Sequence, residues 1–230
     1  MQTSTTVRSL RRTATGFALE CGPVPSPELV AADAVILALP AAKAARLLRP
    51  LAPSAAGELA GIETASVAIT TLAFRDLDLP PGSGLLVGAR EGLAVKAVTI
   101  SSQKWPLSTG GLILLRASIG RAGEAQLLQR EDADLITIVR HDLRRLYGIG
   151  ADPVDALVTR WGGGLPQYAV GHVERVSRIR SAVADVPGLG VCGASYDGLG
   201  IPACISSAWA AVEAIAPALV AAGQRGQSTP

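Results

Sequence analysis

Residues 193–205 read Gly193-Ala194-Ser195-Tyr196-Asp197-Gly198-Leu199-Gly200-Ile201-Pro202-Ala203-Cys204-Ile205. The pattern is that of a strand end, a glycine-rich turn and a helix start. Backbone amides at a helix start lack partners inside the helix and carry partial positive charge. They suit an electron-rich ligand edge, such as a phosphate or the pyrimidine end of a reduced flavin. Pro202 fits the first helical turn, because its missing N–H would have had no partner there. Tyr196 and Asp197 bring a phenol and a carboxylate to the same turn as acid/base candidates. Asp197 could equally cap the following helix. An ordinary strand-to-helix turn with no ligand would show the same residues.

Other chemistry-bearing residues are few. Trp161 precedes Gly162, Gly163 and Gly164, which would let backbone approach a flat ligand closely. Tryptophan also favours partly wet sites, although a core Trp at a strand end reads the same way. His141 falls on the polar side of a helical pattern and reads as a surface residue, while His172 reads as a structural hydrogen-bonding residue. There is no Ser/His/Asp arrangement, and cysteines 21, 192 and 204 have neither CxxC nor Cys/His spacing. No catalytic side chain and no metal is therefore expected. Such a set fits chemistry in which a bound cofactor carries the reaction. Two glycine patterns are decoys. Gly188-Leu189-Gly190-Val191-Cys192-Gly193 matches Gly-x-Gly-x-x-Gly but lies before and within a strand. Gly198-Leu199-Gly200-Ile201-Pro202-Ala203 has too little chain after it for a second strand.

The elements that must position these residues follow from periodicity. A polar start leads into a short β-ribbon at 5–10 and 16–21. The apolar run 35–39 predicts a strand buried on both faces. Ala41–Leu48 reads as a helix stopped near Pro50, and 54–59 as a second short helix. Strands are predicted at 67–74, 85–87, 94–100 and 112–119, with a turn at Pro80-Pro81-Gly82-Ser83-Gly84. Short turns between them imply an antiparallel sheet. Asp132–Tyr147 is amphipathic, with Leu135, Ile138, Val139, Leu143 and Leu146 on one face and Gly148 as its stop. A strand at 156–161 is broken by the three glycines. The last strand is 189–194, the last helix 203–221, and a polar tail occupies 223–230.

Composition sets bounds. The 230 residues suit one or two domains with a substantial core. Hydrophobic content of 49% and charged content of 17% are those of a globular chain. A net charge of +2 gives no basis for binding nucleic acid. The positive charge is almost all arginine, with only Lys43, Lys96 and Lys104 as lysines, which suggests a GC-rich coding genome. An odd cysteine number and no secretory leader pattern predict a reducing cytoplasm. The stretch 201–222 is the candidate membrane span, but Ser206, Ser207, Glu213 and Pro217 interrupt it. The expectation is a buried helix packed on a sheet, with peripheral membrane contact left open.

Five segments in order resemble one family. They are Ala32-Asp33-Ala34-Val35-Ile36-Leu37-Ala38-Leu39-Pro40-Ala41, Ser101-Ser102-Gln103-Lys104-Trp105-Pro106, and Leu115-Arg116-Ala117-Ser118-Ile119-Gly120-Arg121-Ala122-Gly123-Glu124. The other two are Arg160-Trp161 with Leu165-Pro166-Gln167-Tyr168-Ala169-Val170-Gly171-His172, and the 193–205 turn. Together they resemble the oxygen-dependent, FAD-containing protoporphyrinogen and coproporphyrinogen III oxidases. Nothing before residue 32 has the Gly-x-Gly-x-x-Gly form that opens such enzymes, so the chain resembles a C-terminal half. A truncated product, a mis-assigned start and a separate subunit all remain open.

The resemblance implies an α/β (α+β) fold: a partial FAD/NAD(P)-binding Rossmann-like domain plus a substrate domain with a mixed or antiparallel sheet and a helix. It assigns 1–50 to the FAD domain, 51–180 to substrate binding and 181–230 to the return into the FAD domain. It implies cofactor contacts at Val7 (adenine), Trp161 (beside the flavin) and Leu199, Gly200 and Ile201 (the flavin O2 region), with Pro40 near the cofactor or simply ending its strand. The implied reaction removes six electrons from a porphyrinogen in three flavin-mediated steps, with molecular oxygen reduced to hydrogen peroxide, on the haem pathway. Coproporphyrinogen III and protoporphyrinogen IX are both open as substrates, the GC-rich bias leaning to the former. A flavin amine oxidase or desaturase relative is the alternative enzyme. An inactive fragment needing its N-terminal half or a homo-oligomeric partner is the third reading.

Overall fold

The computed structural model describes residues 1–105 and 109–226, with side chains described as far as residue 220 in the last helix. Pro106 and the tail at 227–230 lie outside the described residues. The chain divides into two units. One combines Met1–Glu63 with Pro166–Pro230, and the other is Thr64–Leu165.

The first segment opens with β1 (Val7–Arg12) and β2 (Phe17–Cys21), the expected antiparallel ribbon. β3 (Glu28–Ala32) extends it and was not foreseen. Its residues Leu29–Ala32 are apolar without a break, so they lack the polar/apolar alternation that marks a half-buried strand. β4 (Val35–Leu37) is followed by α1 (Ala41–Leu48) and α2 (Pro53–Ala60). The buried residues of α1 are Ala41, Ala44, Ala45, Leu47 and Leu48, a helical stripe. Pro53 opens α2 at a position where a missing N–H costs nothing.

The inserted unit is a five-stranded sheet. β5 (Thr64–Phe74), β6 (Gly84–Leu86), β7 (Val95–Ile100), β8 (Ile113–Ile119) and β9 (Asp155–Pro166) take the order β6-β7-β8-β5-β9. β6 pairs with β7, β7 with β8 and β8 with β5, all antiparallel, as short turns predict. A short α3 (Ser101–Lys104) precedes β8, and α4 (Asp132–Tyr147) keeps its expected bounds. Leu135, Val139 and Leu143 of α4 are buried in the same apolar cluster as Leu72, Leu115 and Ile119. The buried Asp142 accepts the Val95 amide at 2.9 Å, which satisfies both groups.

β9 corrects one expectation. The strand does not stop at Trp161 but runs through all three glycines to Pro166. Gly163 takes φ +59° and donates its amide to Ser66 Oγ at 3.0 Å. A left-handed residue that still donates to a strand-borne side chain kinks the strand without ending it.

The return segment begins with α5 (His172–Ala184), a second element not foreseen, then β10 (Leu189–Val191) and α6 (Ile201–Gly226). β10 pairs in parallel with β4, Leu189 opposite Val35 and Val191 opposite Leu37. α5 packs on α2 and β10. The domain borders therefore differ from those expected at 50/51 and 180/181. α2 and α5 share one core, to which Leu59, Val176 and Ile179 belong, and an ion-pair cluster joins Glu58 to Arg175 and Arg178. α6 corrects a further expectation. Of the side chains at 201–220 only Ser207, Ala211 and Ile215 are buried. The two-stranded β4-β10 sheet is too narrow to cover more of it. By length and composition this helix could also cross a membrane.

Candidate functional site

Residues 192–200 link β10 to α6 without a strand ladder, yet the segment is pinned along its length. Cys192 donates its amide to Leu37 O at 3.2 Å. The Gly193 amide donates to Oγ of the buried Ser207 at 3.0 Å. Tyr168 donates its hydroxyl to Ala194 O. His172 Nε2 lies 3.1 Å from Tyr196 O. A carbonyl only accepts, so Nε2 carries the proton in this contact. Arg180 grips Asp197 with two parallel bonds, one of 2.9 Å.

The turn itself needs glycine. Gly198 has φ +152°, and a Cβ there would sit 2.8 Å from Ala203 Cβ. The next residues face outward, with Leu199 49% and Ile201 77% exposed. α6 begins at Ile201, two residues earlier than expected, and Cys204 N closes its first turn on Gly200 O at 3.0 Å. The structure thus brings Leu199, Gly200 and Ile201 together at an exposed helix start, where amides can serve an electron-rich edge.

The other predicted residues lie elsewhere. Val7 is on β1, and its carbonyl accepts from Arg46 Nη2 at 3.4 Å. It lines a cavity of about 370 Å³ with Leu10, Leu19, Leu37, Lys43 and Leu47. Apolar walls with a cationic rim suit a flat, apolar-faced ring system. Pro40 is exposed and stands before α1, its carbonyl accepting from Ala44 N at 3.0 Å, so it acts as the helix start. Trp161 lies on β9 in the inserted unit and is 57% exposed. The acid/base candidates change character. Asp197 is bound by Arg180, and Tyr196 is buried with a hydroxyl that has no partner. Burial pushes the Tyr196 phenol up, so it stays neutral. His141 is a surface residue beside Asp142. Lys104 stacks over Trp105 at 4.7 Å. No group of three or more potential metal ligands occurs among the described residues.

Sequence reasoning missed Arg180 and gave Tyr168 no task. Tyr168 stacks on His172, ring centroids 4.0 Å apart. The available signal was the His172, Val176, Ile179, Val183 stripe, which marks a helix directly after the Pro-Gln-Tyr run.

A parallel strand pair, a glycine turn and a helix, with an antiparallel sheet inserted in the chain between its parts, define a mixed α/β class of protein. The particular family is given by comparison. The family description "Flavin containing amine oxidoreductase" matches residues 1–216, and the chain belongs to that family. It is similar to the coproporphyrinogen III oxidase of Mycobacterium leprae (strain TN), 41% identical over 80% of this chain and 40% of that protein. It is also similar to the coproporphyrinogen III oxidase of Bacillus subtilis (strain 168), 37% identical over 79% of this chain and 39% of that protein. A solved structure named "Putative protoporphyrinogen oxidase", from Exiguobacterium sp. 255-15, superposes with a TM-score of 0.78 at 34% identity. It covers 92% of this chain and 46% of that one. The chain thus spans about two fifths of the length of the curated relatives it matches. These names agree with the family that the five sequence segments resemble.

Proposed function

We propose that this chain is the C-terminal part of an FAD-dependent coproporphyrinogen III oxidase that uses molecular oxygen on a haem-forming route. The observation that carries the reading is the exposed Leu199–Ile201 stretch at the start of α6, in a chain 41% identical over 80% of its length to a relative of that name. FAD, when bound, supplies a two-electron acceptor for a hydride leaving the porphyrinogen. Leu199, Gly200 and Ile201 would hold its pyrimidine edge through backbone amides, favouring negative charge there. Val7 would meet the adenine and Trp161 the flavin ring. No side chain of the 193–205 turn is given a proton-transfer role, since Asp197 is paired and Tyr196 is buried and neutral. Three unpaired cysteines suit a cytoplasmic setting, and the apolar face of α6 is compatible with contact at a membrane surface.

The glycine fingerprint for the pyrophosphate is not among these 230 residues. The test therefore compares the chain alone with the chain plus the N-terminal segment of a coproporphyrinogen III oxidase. FAD retention after desalting and the rise of coproporphyrin fluorescence are the readouts. The expected result is flavin retained with the added segment, followed by oxidation of coproporphyrinogen III. No flavin retained even with that segment overturns the reading.

A further inference from the structure

The path of residues 194–197 is set from one side by a single block, α5 and the four residues before it. Tyr168 binds the carbonyl of residue 194, His172 that of residue 196, and Arg180 the side chain of Asp197. These three contacts fall on the stretch that immediately precedes Gly198–Ile201. The Tyr168 and His172 rings are stacked with an interplanar angle of 12°, so neither moves without the other. His172 is only 8% exposed, and its Nδ1 has no partner. A buried imidazole with one idle nitrogen is costly, so its use lies in the Nε2 contact. Tyr168, His172, Arg180 and Asp197 also line a cavity of about 460 Å³.

We propose that Tyr168, His172 and Arg180 are positioning residues that fix residues 194–197 and thereby aim the amides of Leu199–Ile201 at the cofactor. The aim rests on the flavin reading above; the fixing does not. None of the three touches the reacting atoms in this scheme. Tyr168 and His172 act through backbone carbonyls, and Arg180 through the Asp197 carboxylate.

Two measurements separate these parts. The first is hydrogen–deuterium exchange of the 230-residue chain, alongside its thermal unfolding. Tyr168→Phe removes one hydroxyl and keeps the ring stack. It should raise exchange at 194–203 roughly tenfold while α1 and α2 stay unchanged. His172→Leu should do the same, and His172→Gln, which restores a side-chain N–H, should reverse it. Unchanged exchange at 194–203 in Tyr168→Phe, or a rise spread evenly over the chain, overturns the proposal. The second is FAD titration, with the N-terminal segment of a relative supplied, and the flavin reduction potential. Tyr168→Phe should weaken FAD binding and shift the potential. Faster exchange with FAD affinity and potential both unaltered overturns the aiming role. An unmutated chain that binds no FAD, while the exchange differences stand, overturns the functional reading and upholds the fixing.

Discussion

Gly198 occupies a place that a larger residue cannot fill. Its φ of +152° disfavours any side chain, and a Cβ would meet Ala203 Cβ at 2.8 Å. Gly198→Ala must therefore push the turn away from the first turn of α6. The expected cost is about 2 kcal/mol of stability, read by urea unfolding. FAD retention by the chain supplied with a relative's N-terminal segment should fall as well, because Leu199 and Gly200 shift with the turn. Stability within about 0.5 kcal/mol of the original would refute the strain argument. At this scale the sequence revealed types but not partners. Tyr196 and Asp197 stood out as acid/base candidates, and their actual neighbours lie 24 and 17 positions away at His172 and Arg180. Nothing local marks such pairings, which depend on α5 folding back beside β10.

Between elements, the contact of α2 with α5 has a pH signature. Arg178, hydrogen-bonded to Glu58, is the leading cause that holds the Glu58 carboxyl below its ordinary value of 4.5. The unfolded chain releases this proton near 4.5, while the folded one keeps the carboxylate charged to lower pH. The contact therefore stabilises the fold fully above pH 4.5, and the benefit drains away as pH falls below that value. Glu58→Gln should flatten the fall of melting temperature in acid, and parallel curves for the two proteins would contradict this. Element reading succeeded where one period dominated, as in α1 and α4. It missed α5 because the buried stripe His172, Val176, Ile179, Val183 is narrow and interleaved with Glu174, Arg175, Arg178 and Arg180. It ended β9 too early because glycine runs usually end strands, and pairing held this one together.

For the whole molecule, α6 decides behaviour in solution. Ile201, Ile205, Trp209 and Val212 are exposed on a helix whose inward residues are Ser207, Ala211 and Ile215. Hydropathy foretold a long apolar helix; its coverage depends on surfaces outside the helix, which hydropathy does not encode. An apolar face of this kind drives association. The chain should sediment as concentration-dependent oligomers, and Ile205→Lys combined with Trp209→Lys should return it to a monomer. Equal sedimentation of the two would exclude this face as the cause. The chain leaves its first unit after Glu63 and re-enters it at Pro166, so that α2 and α5 both belong to that unit. The pairing of β4 with β10 also carries a consequence for biosynthesis. Val35 emerges long before its partner Leu189. At roughly 5–20 residues per second, that interval is about 8–30 s on the ribosome. The inserted sheet has time to fold first, while the early ribbon and helices wait for a strand not yet made. A pause anywhere in that interval would leave the unit that bears the Gly198 turn open to proteases and chaperones.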